Sequence, residues 1–215
     1  MASIFLTGGT GYMGRALAAE LLARRHRVQV LVRKGSEHKA PPGCAIVTGD
    51  ALDGASYREH LDPADVFVHL VGVAHPSPAK AAQFRSVDLV SIQEAARAAA
   101  GAGIQHFVYV SVAHPAPMMH AYIAARTEGE AAIRAAALNA TILRPWYVLG
   151  PGHRWPLLLV PMYWIAERLP STREGARRLG LVTLRQMVVA LRNAVENLGA
   201  GIRIVEVPEI RGHKS

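Results

Sequence analysis

Two stretches of this 215-residue chain set residue types at spacings that chemistry can use. The first is Thr7-Gly8-Gly9-Thr10-Gly11-Tyr12-Met13-Gly14, which follows the apolar run Ile4-Phe5-Leu6 and precedes a helical pattern from Arg15 to Arg25. It reads both as Gly9-x-Gly11-x-x-Gly14 and as Thr7-Gly8-x-x-Gly11-x-x-Gly14. In either register a strand turns sharply into a helix, and a backbone free of side chains can come close to a pyrophosphate. The start of the helix adds unpaired N–H groups and a positive dipole end. A strand before and a helix after is the setting in which such a glycine pattern carries weight. The second stretch is Tyr122-x-x-x-Arg126. The i, i+4 spacing puts both side chains on one helix face. A phenol, which ordinarily titrates near ~10, needs a cation beside it to serve as a base near neutrality.

The residues after the second apolar run bear on which dinucleotide the glycines would hold. A site selective for NAD places an acid about twenty positions past the glycines, on the ribose 2′-hydroxyl. Here Val28-Gln29-Val30-Leu31-Val32 ends at Arg33-Lys34, followed by Gly35 and Ser36, with no acid at the strand end. A guanidinium can fork onto a phosphate and stack on adenine, so Arg33 and Lys34 favour NADP over NAD. Glu37 leaves a hydroxyl contact open. Asp50, in Thr48-Gly49-Asp50-Ala51, is placed either to accept from the adenine amino group or to cap the segment from Leu52.

These residues need a scaffold, and its pattern is an alternation of short apolar runs with helical stretches, the mark of βαβ units on a parallel sheet. Strands are expected at Ser3–Leu6, Val28–Val32, Ala45–Val47, Val66–Leu70, His106–Val110 and Ala140–Leu143. Nearly continuous apolar strands fit a sheet covered on both faces. Long helices are expected over Ala79–Ala100 and His120–Ala137. Past Gly150 prolines interrupt the chain. Helices near Leu158–Arg168 and Thr183–Leu198, with Thr183 as N-cap, and a last strand at Arg203–Val207 are expected there. The fold class is α/β: a Rossmann-type doubly wound parallel sheet over 1–150, with a small, mostly helical C-terminal cap over 151–215. The cap is too small to fold alone and is expected to complete a substrate cleft beyond the carboxyl ends of the strands.

Composition narrows the classes. No apolar stretch is long enough to span a membrane, because the longest, near Leu157–Trp164, is broken by Pro156 and Pro161. The N-terminus carries no signal-peptide pattern. Cys44 is the single cysteine, which excludes an internal disulfide and a cysteine-based metal site. A cytoplasmic location is expected. Lysine and arginine number 24 against 16 acids, a net charge of +8. The basic residues are scattered, as in Arg24-Arg25-x-Arg27 and Arg177-Arg178, without interleaved aromatics. That pattern reads as a solvated basic face that attracts a polyanionic cofactor, not as a nucleic-acid surface. The ten histidines form no helical pair with a carboxylate of the zinc type, so no metal is expected. His75, His114, His120 and His153 read as loop histidines, and Met118-Met119 as the wall of an apolar pocket.

Taken together, the glycine turn, His69-Leu70-Val71-Gly72, Val108-Tyr109-Val110-Ser111, Tyr122-x-x-x-Arg126 with Glu130, and Thr141-Ile142-Leu143-Arg144-Pro145 resemble the atypical or extended short-chain dehydrogenase/reductases. The similarity extends to NAD(P)-binding, epimerase-like proteins that include the NmrA-like regulators and a complex I accessory subunit. It spans about 145 residues in family order. It implies that a Ser, a Tyr and a Lys do the chemistry: the Tyr exchanges a proton with the substrate oxygen, the Ser hydrogen-bonds that oxygen, and the Lys holds the nicotinamide ribose. Carried over by position these are Ser111, Tyr122 and, in place of Lys, Arg126. Arginine keeps the charge but cannot pass on a proton. The resemblance also puts Leu70, Val71 and Gly72, with Pro145, Trp146 and Val148, at the nicotinamide end, where Trp146 and Tyr147 either wall a substrate or pack the cap. The expected activity is NADP-dependent hydride transfer between the nicotinamide and a small carbonyl or alcohol. The alternatives are an NADP(H)-binding redox sensor or assembly factor without turnover, and a sugar-nucleotide epimerase. A homodimer or a protein partner is compatible with each.

Overall fold

The computed structural model describes residues 1–62, 64–150 and 173–212. Seven parallel strands form one sheet in the order β3-β2-β1-β4-β5-β6-β9. They are β1 (Ser3–Thr7), β2 (Arg27–Val32), β3 (Ala45–Thr48), β4 (Val66–His69), β5 (His106–Val110), β6 (Ala140–Arg144) and β9 (Ile202–Glu206). The six strands expected before residue 150 are all present, with ends shifted by a residue or so. The helices are α1 (Tyr12–Ala23), α2 (Ala81–Gln83), α3 (Val90–Gly101), α4 (His120–Ala135), α5 (Arg173–Arg178), α6 (Leu184–Glu196) and α7 (Val207–Gly212). The expected helix at 158–168 and His153 lie outside the described residues.

Alternation along the strands builds two cores, one on each face of the sheet. Ile4, Leu6, Val66, Val68 and Val108 point to the side covered by Leu17, Ala18 and Leu21 of α1 and by Met187, Leu191 and Ala194 of α6. Phe5, Phe67, Phe107, Tyr109 and Ile142 point to the other side, against Ile92, Ala95, Ala96 and Ala99 of α3 and Ala125 and Ile133 of α4. Successive side chains of a strand take opposite faces, so both layers are read from the same short runs. Phe5, Phe67 and Phe107 stand opposite one another on three neighbouring strands. Their ring centroids are 5.3 and 5.0 Å apart, and Tyr57 extends the row at 5.6 Å from Phe5.

The C-terminal segment is built into these layers. β9 joins the sheet in parallel beside β6, and α6 buries a face of seven residues beside α1. Thr183 caps α6 through a capping box, its hydroxyl accepting from Gln186 N–H while the Gln186 side chain accepts from Thr183 N–H. Two strands not expected from the sequence, β7 (Tyr147–Leu149) and β8 (Leu181–Thr183), pair in parallel as a separate two-stranded sheet. The long helix expected over Ala79–Ala100 is present but not uniform. It begins with a 3₁₀ turn at Pro78–Lys80 and passes through π-helical geometry over Phe84–Leu89 before α3. That stretch shapes the candidate site.

Candidate active site and cofactor cleft

Gly8 ends β1 with φ of +76°, a left-handed conformation that suits glycine. A Cβ on it would lie 2.7–2.9 Å from the Leu70 carbonyl and Val71 N. The turn thus nests against the chain leaving β4. Gly11 is the N-cap of α1 and donates to the Gly8 carbonyl at 3.0 Å. No side chain caps α1, and its first turn carries no acid. The first N–H groups of the helix therefore point outward with their dipole uncompensated. Gly14 is buried against the Gly8 carbonyl and Gly9 Cα, and Gly9 against Val30. Met13 packs on the core beneath, and Tyr12 arches over to Gly150.

A cleft of about 350 Å³ opens from this turn along the carboxyl edge of the sheet. One wall is Gly8, Thr10 and Gly11, the floor is the ends of β2 and β3 with Arg33, Asp50 and Ala51, and the far wall is Leu70, Val71 and Gly72. The expected residues from four strand ends thus share one space. Ser36 and Lys39, which the sequence reading did not single out, line it as well. Lys34 is exposed and does not. Glu37 is turned back, accepting from Gly35 N–H at 2.9 Å. Asp50 accepts from Leu52 N–H at 2.9 Å through Oδ1. The capping reading is therefore met by geometry, and the residue still faces the cleft. Thr7 lies beneath the cleft, fully buried, with Oγ1 2.9 Å from His69 Nδ1. The fit of a dinucleotide rests on the cradle that a Cβ would fill, the uncapped helix start and the cationic floor.

The Tyr/Arg pair sits where β4 and β5 end. Arg126 is buried and committed. Its Nη2 bonds Asp88 Oδ1 at 2.6 Å and lies 3.5 Å from the Val71 carbonyl. Its Nη1 donates to the Val110 carbonyl at 2.9 Å and lies 3.5 Å from the Tyr109 hydroxyl. A side chain at Gly72 would collide with this guanidinium. Burial works against the charge, but Tyr122, Tyr109 and Asp88 around it prevail and hold the Arg126 pKa above its ordinary value. Tyr122, half-buried, lies over the guanidinium with 5.2 Å from ring centroid to carbon, and its ring meets Phe84 at 5.0 Å. Asp88, the counter-charge, also accepts from Val73 N–H at 3.0 Å. Phe84 and Asp88 both come from the π-helical stretch, a geometry frequent at functional sites.

Ser111 is placed elsewhere. It is buried, and its hydroxyl donates to Glu130 Oε1 at 2.7 Å. Glu130 also accepts from Arg144 Nε at 2.9 Å and Nη2 at 2.6 Å, and Arg144 reaches on to Glu206 at 3.0 Å. Burial would raise the Glu130 carboxyl, but the hydrogen bonds from Arg144 and Ser111 outweigh it and lower its pKa. His114 Nε2 stands 3.8 Å from the same carboxylate. A second buried chain runs from Thr7 through His69 to the Ser91 hydroxyl at 3.3 Å, and from there to the Asp88 carbonyl at 3.1 Å. Burial, helped by the Arg126 charge, depresses the His69 pKa to about 3. Pro145 is buried, and Trp146 and Val148 pack partly against the α1–α6 core. None of the three lines the cleft described above. Asp88 and Phe84 escaped the sequence reading, and His69 entered it only as part of a motif, with no role assigned. The one signal for Asp88 was an acid in the apolar run Val87-Asp88-Leu89-Val90. Among the described residues no three His, Cys, Asp or Glu side chains converge as a metal site, and no helix is long and apolar enough to cross a membrane.

Residues 8–153 match the profile of the NAD(P)H-binding family. Over 235 aligned residues the chain is 28% identical to ceramide reductase of Caulobacter vibrioides (strain NA1000 / CB15N), covering 96% of this chain and 74% of that one. It is 29% identical over 232 residues to 3-diazoavenalumate denitrifying reductase of a Streptomyces species, covering 92% and 73%. Among solved structures, the Bordetella bronchiseptica enzyme WbmH in complex with NAD+ superposes with a TM-score of 0.71 at 20% identity, over 96% of this chain and 75% of that one. UDP-N-acetylglucosamine 4-epimerase from Bacillus cereus gives 0.70 at 16%, over 96% and 79%. At these identities the two structures establish likeness of fold.

Proposed function

The chain belongs to the NAD(P)H-binding family, with the Rossmann-type fold of extended short-chain dehydrogenase/reductases, and from this we propose that it is an NADP-dependent oxidoreductase that reduces a small carbonyl or oxidises the corresponding alcohol. The observation that carries the reading is the shared edge. The phosphate cradle and the cationic floor line one cleft, and the Tyr122/Arg126 pair adjoins it through Gly72, which lines the cleft and lies against the Arg126 guanidinium. Gly8, Thr10 and Gly11 with the start of α1 would hold the pyrophosphate. Arg33 and Lys39 on the floor would take a 2′-phosphate, a dianion that a neutral floor would not favour. The bound cofactor would supply a hydride to a carbonyl carbon. Tyr122 would donate its phenolic proton to the carbonyl oxygen and recover one from solvent. Arg126 would act on that phenol as a fixed positive charge. Ser111, expected to polarise the substrate oxygen, could do so only by leaving Glu130. In this reading it secures Glu130 and the end of β5 instead.

A second reading has an observation of its own. With Arg126 tied to Asp88 and Ser111 to Glu130, no free lysine-like donor for the ribose is found among the described residues of the site, as in a protein that binds NADP(H) without turnover. Purified protein mixed with NADPH or NADH and a panel of aldehydes and ketones decides between them. The reductase reading expects oxidation of NADPH, weaker use of NADH, loss of the NADPH preference in Arg33→Ala and loss of turnover in Tyr122→Phe. Tight NADPH binding with no consumption would favour the sensor, and full activity in Tyr122→Phe would end the acid/base assignment. Stabilisation by a nucleotide sugar and not by simple carbonyls would revive the epimerase alternative.

A further inference from the structure

A second cavity, of about 540 Å³, lies at the opposite end of the same sheet edge. It is lined by Arg173, Glu174, Arg177 and Arg178 of α5 and by Glu206 and Pro208 where β9 passes into α7. Because all seven strands are parallel, the end of β9 is on the carboxyl edge, as the glycine turn is. Arg173, Arg177 and Arg178 have no hydrogen-bond or ion-pair partner among the described residues. Arg178 goes further: its Nε is shut off from solvent and still lacks an acceptor. Three guanidinium groups gathered round one cavity without a local counter-charge make it a place where an anion is favoured. The acids nearby do not cancel the arginines. Glu206 gives one oxygen to Arg144 at 3.0 Å, and Glu174 is exposed. The second oxygen of Glu206 is buried and does not face the cavity.

We propose that the Arg173/Arg177/Arg178 pocket binds an anionic group of the substrate, a carboxylate or a phosphate. This rests on the reductase reading for the position of the reacting carbon. That carbon would lie near Tyr122, at the end of β5, and β9 is two strands away in the sheet order. At about 4.8 Å per strand the anion sits roughly 10 Å from the carbonyl. The carbonyl or alcohol of the proposed reaction is then one end of a molecule whose other end carries an acid group.

The test is a binding measurement that needs no turnover. The NADP+-loaded protein is titrated calorimetrically with ω-oxo acids of four to twelve carbons, with the matching ω-oxo alkyl phosphates, and with the methyl esters of the acids. The expected result is that an anionic member near the middle of the series binds at least tenfold tighter than its ester. Added salt should close the gap, and so should Arg177→Gln, with NADP+ affinity unchanged. The acid and phosphate arms identify which anion the pocket takes. Arg177 is exposed, so its variant keeps the test usable even where Arg178→Gln unfolds. No anion above its ester, or a gap that survives in Arg177→Gln and Arg178→Gln alike, overturns the proposal. A gap that persists while no carbonyl is ever reduced with NADPH would remove the reductase reading and leave the anion pocket standing.

Discussion

His69 gives the folded chain a defined pH dependence. It is fully buried at the end of β4, between the Thr7 and Ser91 hydroxyls, and its pKa falls to about 3 because burial penalises the imidazolium and Arg126 repels it. In the unfolded chain the same imidazole titrates near 6.5. Between those values the unfolded state binds a proton that the native state refuses, so stability rises with pH through this window and falls as pH drops below 6.5. Each full unit of separation is worth ~1.4 kcal/mol. From pH 7 to pH 5 the loss from this one group integrates to about 2 kcal/mol, a large share of a typical 5–15 kcal/mol total. His106, also depressed by burial, adds to the same side. The assay is urea denaturation at pH 5, 6, 7 and 8 with wild type and His69→Gln. The variant should be less stable at pH 7 yet visibly flatter between 7 and 5, the difference in slope being the His69 share. Parallel curves for the two proteins, or a wild type that loses less than about 0.5 kcal/mol over that range, would show that His69 does not sit unprotonated between those hydroxyls.

Two further outcomes follow from the same region. Asp88→Ala leaves the Arg126 guanidinium buried without its carboxylate and frees the Val73 N–H. Removing one partner of a buried pair costs about 3–5 kcal/mol, so a urea midpoint shifted by the equivalent of less than ~1 kcal/mol would mean the pair is more solvated than its geometry indicates. Gly8→Ala must place a methyl 2.7–2.9 Å from the Leu70 carbonyl and Val71 N at a φ of +76°. It should cost at least about 2 kcal/mol and abolish NADPH-dependent stabilisation in a thermal melt. A melt raised by NADPH as much as that of wild type would separate the Gly8 turn from cofactor binding.

The sheet was legible because its strands are short apolar runs whose alternation serves two cores at once. Ile4 and Leu6 face α1 and α6, and Phe5 between them faces α3 and α4. The glycine turn was legible because its constraint is local: Gly8 and Gly14 touch neighbours within the motif or just across β4. What escaped has long-range causes. Asp88 meets Arg126 across 38 residues, and a π-helical offset that leaves no mark in an alanine-rich pattern turns it inward. Ser111 carries a hydroxyl at the expected position, but Glu130 of α4 captures it, itself held by Arg144 of β6. β7 and β8 are three residues each, and Tyr147 read as a substrate wall or as packing for the cap because nothing local announced a partner strand 34 positions later. Arg177-Arg178 read as a solvated face because the cavity beside them is closed by the end of β9.

The arginine at position 126, where the resemblance implies a lysine, looks different once its contacts are known. A lysine ammonium is a single point charge and could serve either Asp88 or the Val110 carbonyl. The guanidinium fork spans both, one nitrogen to each, and lays its plane against Tyr122. This arrangement gives up the free donor that would reach a ribose hydroxyl, and in exchange the cation stays fixed beside the phenol. Arginine does not deprotonate in the accessible range, and its neighbours hold its pKa higher still. The field on Tyr122 is therefore constant with pH. A lysine in that place would add its own ionisation to a pH–rate profile, whereas here any turnover that passes through Tyr122 would show no second limb from residue 126. Gly72 packs on the same guanidinium while lining the cleft, so the cleft wall and the charge beside the phenol are in direct contact. In the proposed reductase Arg126 would be a positioning residue for both the cleft wall and Tyr122, and its burial would be a condition of that role.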